Sequence, residues 1–130
     1  MAQAPRLFRL ILQVSNIERA LAFYATLLGV PARPVSVERH YFDCGPVILA
    51  IVDSGQSAQP TPDYIYLAVD DIEEAHARAQ GLGCLSQEDV HGASAGEIVT
   101  RPWGERSFYV RDPFGNGLCF VDEQTVFTGR

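Results

Sequence analysis

Hydrophobic and polar residues alternate in Arg9-Leu-Ile-Leu-Gln-Val14, placing Leu10, Leu12 and Val14 on one face of a predicted strand. The pattern then changes to helical spacing, with Ile17, Ala20, Leu21, Tyr24 and Leu28 forming an apolar stripe that Gly29 should end. The same succession recurs. Ile11–Ala22 lies over Tyr66–Ala77 at a constant offset of 55, with Val14/Val69, Ile17/Ile72, Glu18/Glu73, Ala20/Ala75 and Ala22/Ala77 identical. In the second copy Ile65, Leu67 and Val69 share a strand face, and Ile72, Ala75, His76, Ala79 and Leu82 form the stripe that stops near Gly83. Ser15 with Glu18, and Asp70 with Glu73, have the spacing of a capping box. Repetition at this length implies one supersecondary unit built twice.

Three further strands should complete each unit, near 32–37, 40–44 and 47–52 in the first, and near 85–88, 105–111 and 117–122 in the second. Asp112-Pro-Phe-Gly-Asn116 has strong turn chemistry: proline presets φ, glycine accepts positive φ, and Asp and Asn bond back to the backbone. A polar stretch at 54–62 reads as a linker, and 89–104 as a long loop, functional or mobile. The expected organisation is one α+β domain over 1–130, with unit one about 6–53 and unit two about 63–123.

Composition narrows the function classes. Apolar residues at 47% and charged residues at 20% describe an ordinary globular chain. No apolar run approaches the roughly 18 residues that span a bilayer, and Leu10-Ile-Leu12 is too brief for a signal sequence, so a cytoplasmic protein without membrane partners is expected. Cys44, Cys84 and Cys119 are odd in number and widely spaced, which fits reduced thiols. All ten basic residues are arginine, leaving no lysine for Schiff-base or phosphate-loop chemistry. Net charge is −6, and residues 54–130 carry five basic against twelve acidic residues. That acidity argues against nucleic acid and would steer a cationic ligand, if it does more than keep the chain in solution.

A twice-built β-α-β-β-β unit, with V-x-[DN]-[ILV]-[ED] at each strand–helix junction and the closing hairpin Arg111-Asp-Pro-Phe-Gly-Asn116, resembles the vicinal-oxygen-chelate superfamily. Glyoxalase I, the extradiol dioxygenases, and the fosfomycin- and bleomycin-resistance proteins belong there. The resemblance spans about residues 6–123, and the Pro102-Trp-Gly104 segment with its following aromatic strand looks most like the bleomycin-resistance branch. It implies a glyoxalase-like fold, a curved mixed sheet around a cup, and commonly a homodimer with two cups.

The metal enzymes of this superfamily carry a histidine seven residues before each junction Asp/Asn, and a Glu on each closing strand. Here the histidine positions hold Arg9 and Tyr64, themselves 55 apart. The Glu positions fall on Cys119 and on Leu49 or Ala50. Arginine does not ligate metal, and a tyrosine with a lone cysteine poorly replaces two histidines and two carboxylates. No metal or other cofactor is therefore expected. His40, His76 and His91 have no ligand spacing, and His76 occupies a helix-stripe slot that suits a packed residue.

Strand parity turns Arg9, Ile11, Gln13, Tyr64, Tyr66 and Ala68 away from the helices, toward the cup. By resemblance to the fosfomycin enzymes, Ser107 and Tyr109 face it too; Cys119 sits at the old ligand position, and Trp103, on the long loop, is expected across the mouth. Two readings of these aromatics stand: walls of a small-molecule site, or filler of a redundant cavity. Arg9 needs an internal acid, water, solvent access or an anionic ligand. Cys119 has no neighbouring base in sequence and reads as a small hydrophobe. Two functions remain open: metal-free binding of a small organic molecule, including an antibiotic of bleomycin type, or a diverged glyoxalase-like lyase, isomerase or dioxygenase acting on a small carbonyl or hydroxy compound. Such an enzyme is either a lyase or isomerase using Tyr64, Tyr109 and Arg9 as acid–base groups, or one whose metal ligands stand at other positions.

Overall fold

The computed structural model describes residues 6–55, 59–60 and 63–129. In the first unit, strand β1 (Arg9–Gln13) leads into helix α1 (Ile17–Leu28), followed by β2 (Arg33–Ser36), β3 (Arg39–Cys44) and β4 (Val47–Val52). In the second, β5 (Tyr64–Val69) leads into α2 (Ile72–Leu82). The short strands β6 (Asp89–Val90), β7 (Ala93–Ser94) and β8 (Val99–Thr100) precede β9 (Arg106–Arg111) and β10 (Gly117–Asp122). The expected linker 54–62 lies in part outside the described residues.

Both strand–helix junctions are built alike, one residue later than the capping-box spacing places them. Asn16 and Asp71 are the N-caps, and each side-chain oxygen accepts from the backbone N–H three residues on, at 3.0 Å. That satisfies a donor the first helical turn leaves without a partner. Ser15 and Asp70 precede the caps. Gly29 and Gly83 close the helices at φ +72° and +68°, the left-handed conformation that disfavours a side chain.

The strands form two sheets of four, in the orders β1-β4-β3-β2 and β5-β10-β9-β8, while β6 and β7 make a separate hairpin. β1 lies parallel to β4, as β5 does to β10, and the remaining pairs are antiparallel. The strand expected at 85–88 is replaced by a patchwork along β9. Leu85 makes an isolated bridge to Val110, Tyr109 N–H donates to Ala95, and β8 pairs with the start of β9. Polar Ser86, Gln87 and Glu88 lack the apolar alternation that would hold a longer strand there.

One core serves both units. Leu12, Phe42, Leu49 and Ile51 from the first sheet join Phe108, Val110, Leu118 and Phe120 from the second, around Tyr24 and Leu27 of α1 and Ile72 and Ala75 of α2. Polar ties cross the same boundary. Tyr24 donates to Asp112 at 2.5 Å, Arg78 Nε donates to the Leu27 carbonyl at 3.3 Å, and Asn116 Nδ2 donates to the Gln13 carbonyl at 3.3 Å. Because side chains alternate along a strand, the opposite face of each sheet points away from this common core. Those two outer faces carry the candidate chemistry.

Candidate functional site

Register along the strands fixes which residues share an outer face. In the first sheet Arg9, Ile11 and Gln13 of β1 stand beside Ile48, Ala50 and Val52 of β4, and these beside Asp43, Tyr41 and Arg39 of β3. In the second, Tyr64, Tyr66 and Ala68 stand beside Gly117, Cys119 and Val121, then Arg111, Tyr109 and Ser107. The two registers superpose. Ala50 lies between Ile11 and Tyr41 as Cys119 lies between Tyr66 and Tyr109. This decides between Leu49 and Ala50: Leu49 packs in the helix-side core, so Ala50 is the repeat partner of Cys119. It also makes Tyr41 the counterpart of Tyr109.

On the second sheet five of the sequence-derived site residues come together. The Tyr66 and Tyr109 hydroxyls are 3.3 Å apart, and the Tyr64 ring meets Tyr109 edge-on at 4.9 Å. Tyr64 in turn accepts from Arg111 at 3.0 Å and lies under its guanidinium. Tyr109, Cys119 and Val121 form a small second core with Ala95, against which Tyr64 and Val90 pack. Gly117 makes this possible, since a Cβ there would stand 2.6 Å from the Tyr64 ring. Tyr66 is 53% exposed and is the open edge of the cluster.

Sequence reasoning missed Arg101, which is 3% exposed and organises this face. Its Nε donates to Ser107 Oγ at 3.0 Å, Nη1 to the Ser94 carbonyl at 3.1 Å, and Nη2 to the Ser107 carbonyl at 3.0 Å. The guanidinium also lies 5.1 Å from the Tyr109 ring centroid. It thus clamps the 89–104 loop over the tyrosines. Its position inside the Arg101-Pro-Trp-Gly segment was visible in the sequence; its burial was not. His76 anchors the same loop from behind, donating from Nε2 to the Gly96 carbonyl at 2.9 Å.

The remaining predicted residues lie elsewhere. Trp103 donates to Glu105 at 2.7 Å and meets His91 edge-on, on the rim of the loop. Arg9 and Gln13 belong to the other sheet. Gln13 is exposed, and its Oε1 accepts from Gln59 N–H at 3.4 Å. Arg9 is exposed, donates to Tyr41 at 3.4 Å and lies over the Phe8 and Tyr41 rings. The internal acid or closed cup considered for Arg9 is therefore replaced by solvent and aromatic faces.

Electrostatics make the second face a proton-holding one. Burial, then the Tyr66 hydrogen bond, pushes the Tyr109 hydroxyl above its ordinary range, so it remains a donor. Burial likewise pushes the Cys119 thiol up to about 11, against the opposing pull of Ser107, Tyr109 and Arg101. A protonated, buried thiol is a poor nucleophile. The four positions of a chelate site hold Arg9, Ala50, Tyr64 and Cys119, split between two sheets, with no imidazole or carboxylate among them. This donor set does not fit a divalent metal. Among the described residues no cluster of three His, Cys, Asp or Glu offers an alternative. Separately, an apolar cavity of about 530 Å³ lies between the units, lined by Leu10, Leu49, Ile65 and Leu67 and reached by Tyr66.

Two βαβββ units with equivalent registers define a glyoxalase-like fold. The model of the Glyoxalase/Bleomycin resistance protein/Dioxygenase superfamily matches residues 6–120, and the chain belongs to that superfamily. Solved structures agree at the level of fold. Oxidase ChaP-H2 superposes with a TM-score of 0.74 at 23% identity, covering 92% of this chain and 94% of that one. A glyoxalase/bleomycin resistance protein from Albidiferax ferrireducens gives 0.72 at 21% identity, covering 88% and 95%. Lactoylglutathione lyase from Agrobacterium tumefaciens gives 0.68 at 20% identity, covering 97% and 100%. No curated protein matches the sequence. These relatives span oxidase, lyase and resistance-type descriptions at identities that speak for the fold alone. No helix of the described residues is long and apolar enough to cross a membrane.

Proposed function

We propose that this protein is a small-molecule-binding member of the superfamily that works without a metal, holding an organic ligand against the tyrosine wall of its second sheet. The observation that carries this reading is the convergence of Tyr66 and Tyr109 with Tyr64 and Cys119, the two second-sheet positions that correspond to chelate ligands, with one edge open at Tyr66. Aromatic walls with a few fixed polar groups suit small organic molecules. The Tyr66–Tyr109 pair offers a phenol proton to a ligand carbonyl, a role that needs no metal. A diverged isomerase or lyase would need a proton-transfer group, and burial holds both the Tyr109 phenol and the Cys119 thiol above the range that suits one.

A complete cup takes two copies. Among the described residues β1 and β5 are each paired on one side only, and both are lined by exposed apolar groups, Ile11 at 47% and Tyr66 at 53%, with Leu7 and Phe8 just before β1. Open apolar edges of this kind favour pairing. A homodimer that sets the first outer face of one copy against the second outer face of the other would cover them and join both walls. We place the dimer in the cytoplasm, with no nucleic-acid or membrane partner. Titration with acetophenone, an uncharged aromatic ketone, tests the wall: affinity should fall about tenfold in Tyr66→Phe, the open phenol, the size of one hydrogen bond. Affinity unchanged from the unmutated protein in both Tyr66→Phe and Tyr109→Phe would remove the tyrosines from the site and favour their role as filler.

A further inference from the structure

The outer face of the first sheet has a chemistry of its own. Three guanidiniums gather on one phenol: the Arg9, Arg33 and Arg39 carbons lie 5.9, 5.5 and 5.9 Å from the Tyr41 ring centroid. Arg33 is neutralised by Asp43 at 2.9 Å. Arg9 and Arg39 take part in no ion pair among the described residues. The neighbouring carboxylates are used locally, Glu38 accepting from Ser36 and Asp53 from Gly55 N–H.

Both free arginines donate to the same atom, Tyr41 Oη, at 3.4 Å from Arg9 and 3.0 Å from Arg39. A phenol oxygen that accepts twice has spent its lone pairs, so its own proton must point outward as a donor. The Arg39 hydrogen bond above all holds the Tyr41 phenol below its ordinary range, which strengthens that donor. Uncompensated like charges held this close repel, and an anion between them removes the repulsion. The cross-strand neighbours on this row are Ala50 and the exposed Ile11, an apolar surface beside the charges.

We propose that Arg9, Arg39 and Tyr41 form an oxyanion site, and that the ligand of this protein is a small carboxylic acid with an apolar body. Guanidinium forks fit a carboxylate's two oxygens, the Tyr41 proton supplies a third donor, and Ile11 receives the hydrocarbon. The inference rests on the outer faces being the ligand-binding surface, and it deepens that reading by naming the acid group. It runs against the steering toward cations read from the net charge, because Arg9 and Arg39 have no ion-pair partner among the described residues.

The test is calorimetric titration of the full chain with 2-naphthoate and with naphthalene-2-carboxamide, which differ in the carboxylate alone. The acid should bind about tenfold or more tighter, and Arg9→Met and Arg39→Met should each remove about tenfold from the acid and much less from the amide. In the unmutated protein, the Arg9 and Arg39 Nε–H resonances should shift on adding naphthoate and stay in place with the amide, a readout independent of variant folding. Equal binding of acid and amide, with those resonances unmoved, overturns the inference and leaves a neutral binding cup standing. Binding of neither probe overturns both. Inorganic phosphate displacing naphthoate at equal concentration would overturn the organic-acid assignment in favour of a bare oxyanion.

Discussion

Asp112 shows how far one residue can tie the two units together. Buried in the β9–β10 turn, it accepts from Phe114 and Asn116 N–H, from Asn116 Nδ2 and from Tyr24 of the other unit. Tyr24→Phe deletes the inter-unit bond and leaves a buried acceptor short of a partner, so it should lower unfolding free energy by roughly 1–3 kcal/mol in denaturant titration. Asp112→Ala should cost more. Cys119 is the complementary case, a thiol silenced by burial. It should resist iodoacetamide at pH 8 in the folded protein and react once denatured; rapid native labelling would contradict its place in the wall. The family resemblance supplied the addresses Arg9, Tyr64 and Cys119, and the 55-residue repeat checked the first two against each other. Arg101, Arg39 and Tyr41 were not legible, because their meaning comes from cross-strand neighbours and from a loop folding back, and neither leaves a periodic trace.

At the scale of elements the sequence spoke clearly where a period was sustained and poorly where pairing was improvised. Both βα junctions, the β3–β4 and β9–β10 hairpins and the two glycine stops follow from alternation, helical spacing and turn chemistry. The caps fell one residue later, on Asn16 and Asp71, since Ser15 and Asp70 sit at the spacing of a capping box that does not form. The strand expected at 85–88 failed because β9 takes its edge partners from three separate segments. Two glycines expose this construction. A Cβ on Gly96 would stand 2.3 Å from the Ser86 carbonyl oxygen, so Gly96→Ala should destabilise the 89–104 loop and speed proteolysis within it. Gly117→Ala should push the Tyr64 ring aside and weaken binding of aromatic probes with a smaller effect on stability.

For the whole molecule the same features set pH behaviour, assembly and function. Cys84 and Cys119 are both raised from 9.0 to about 11 by burial. Each holds its proton in the folded state at pH values where the unfolded chain has lost it. Stability is therefore full below about pH 9 and falls as pH rises toward 11, by up to roughly 3 kcal/mol for the fully buried Cys119. Urea midpoints that stay flat across that interval would contradict the burial of these thiols. If the open β1 and β5 edges pair between copies, light scattering should give twice the 14.3 kDa chain mass. A charge such as Ile11→Asp should then yield monomer.

On the proposed reading, this fold holds its ligand with phenols and guanidiniums in place of a metal. The most direct test of that reading is titration of 2-naphthoate into protein stripped of divalent ions by chelator dialysis, repeated after adding zinc and nickel. The account predicts saturable binding in the stripped protein with the same affinity after metal is restored. Binding that vanishes on chelation and returns with a stoichiometric divalent ion would contradict it.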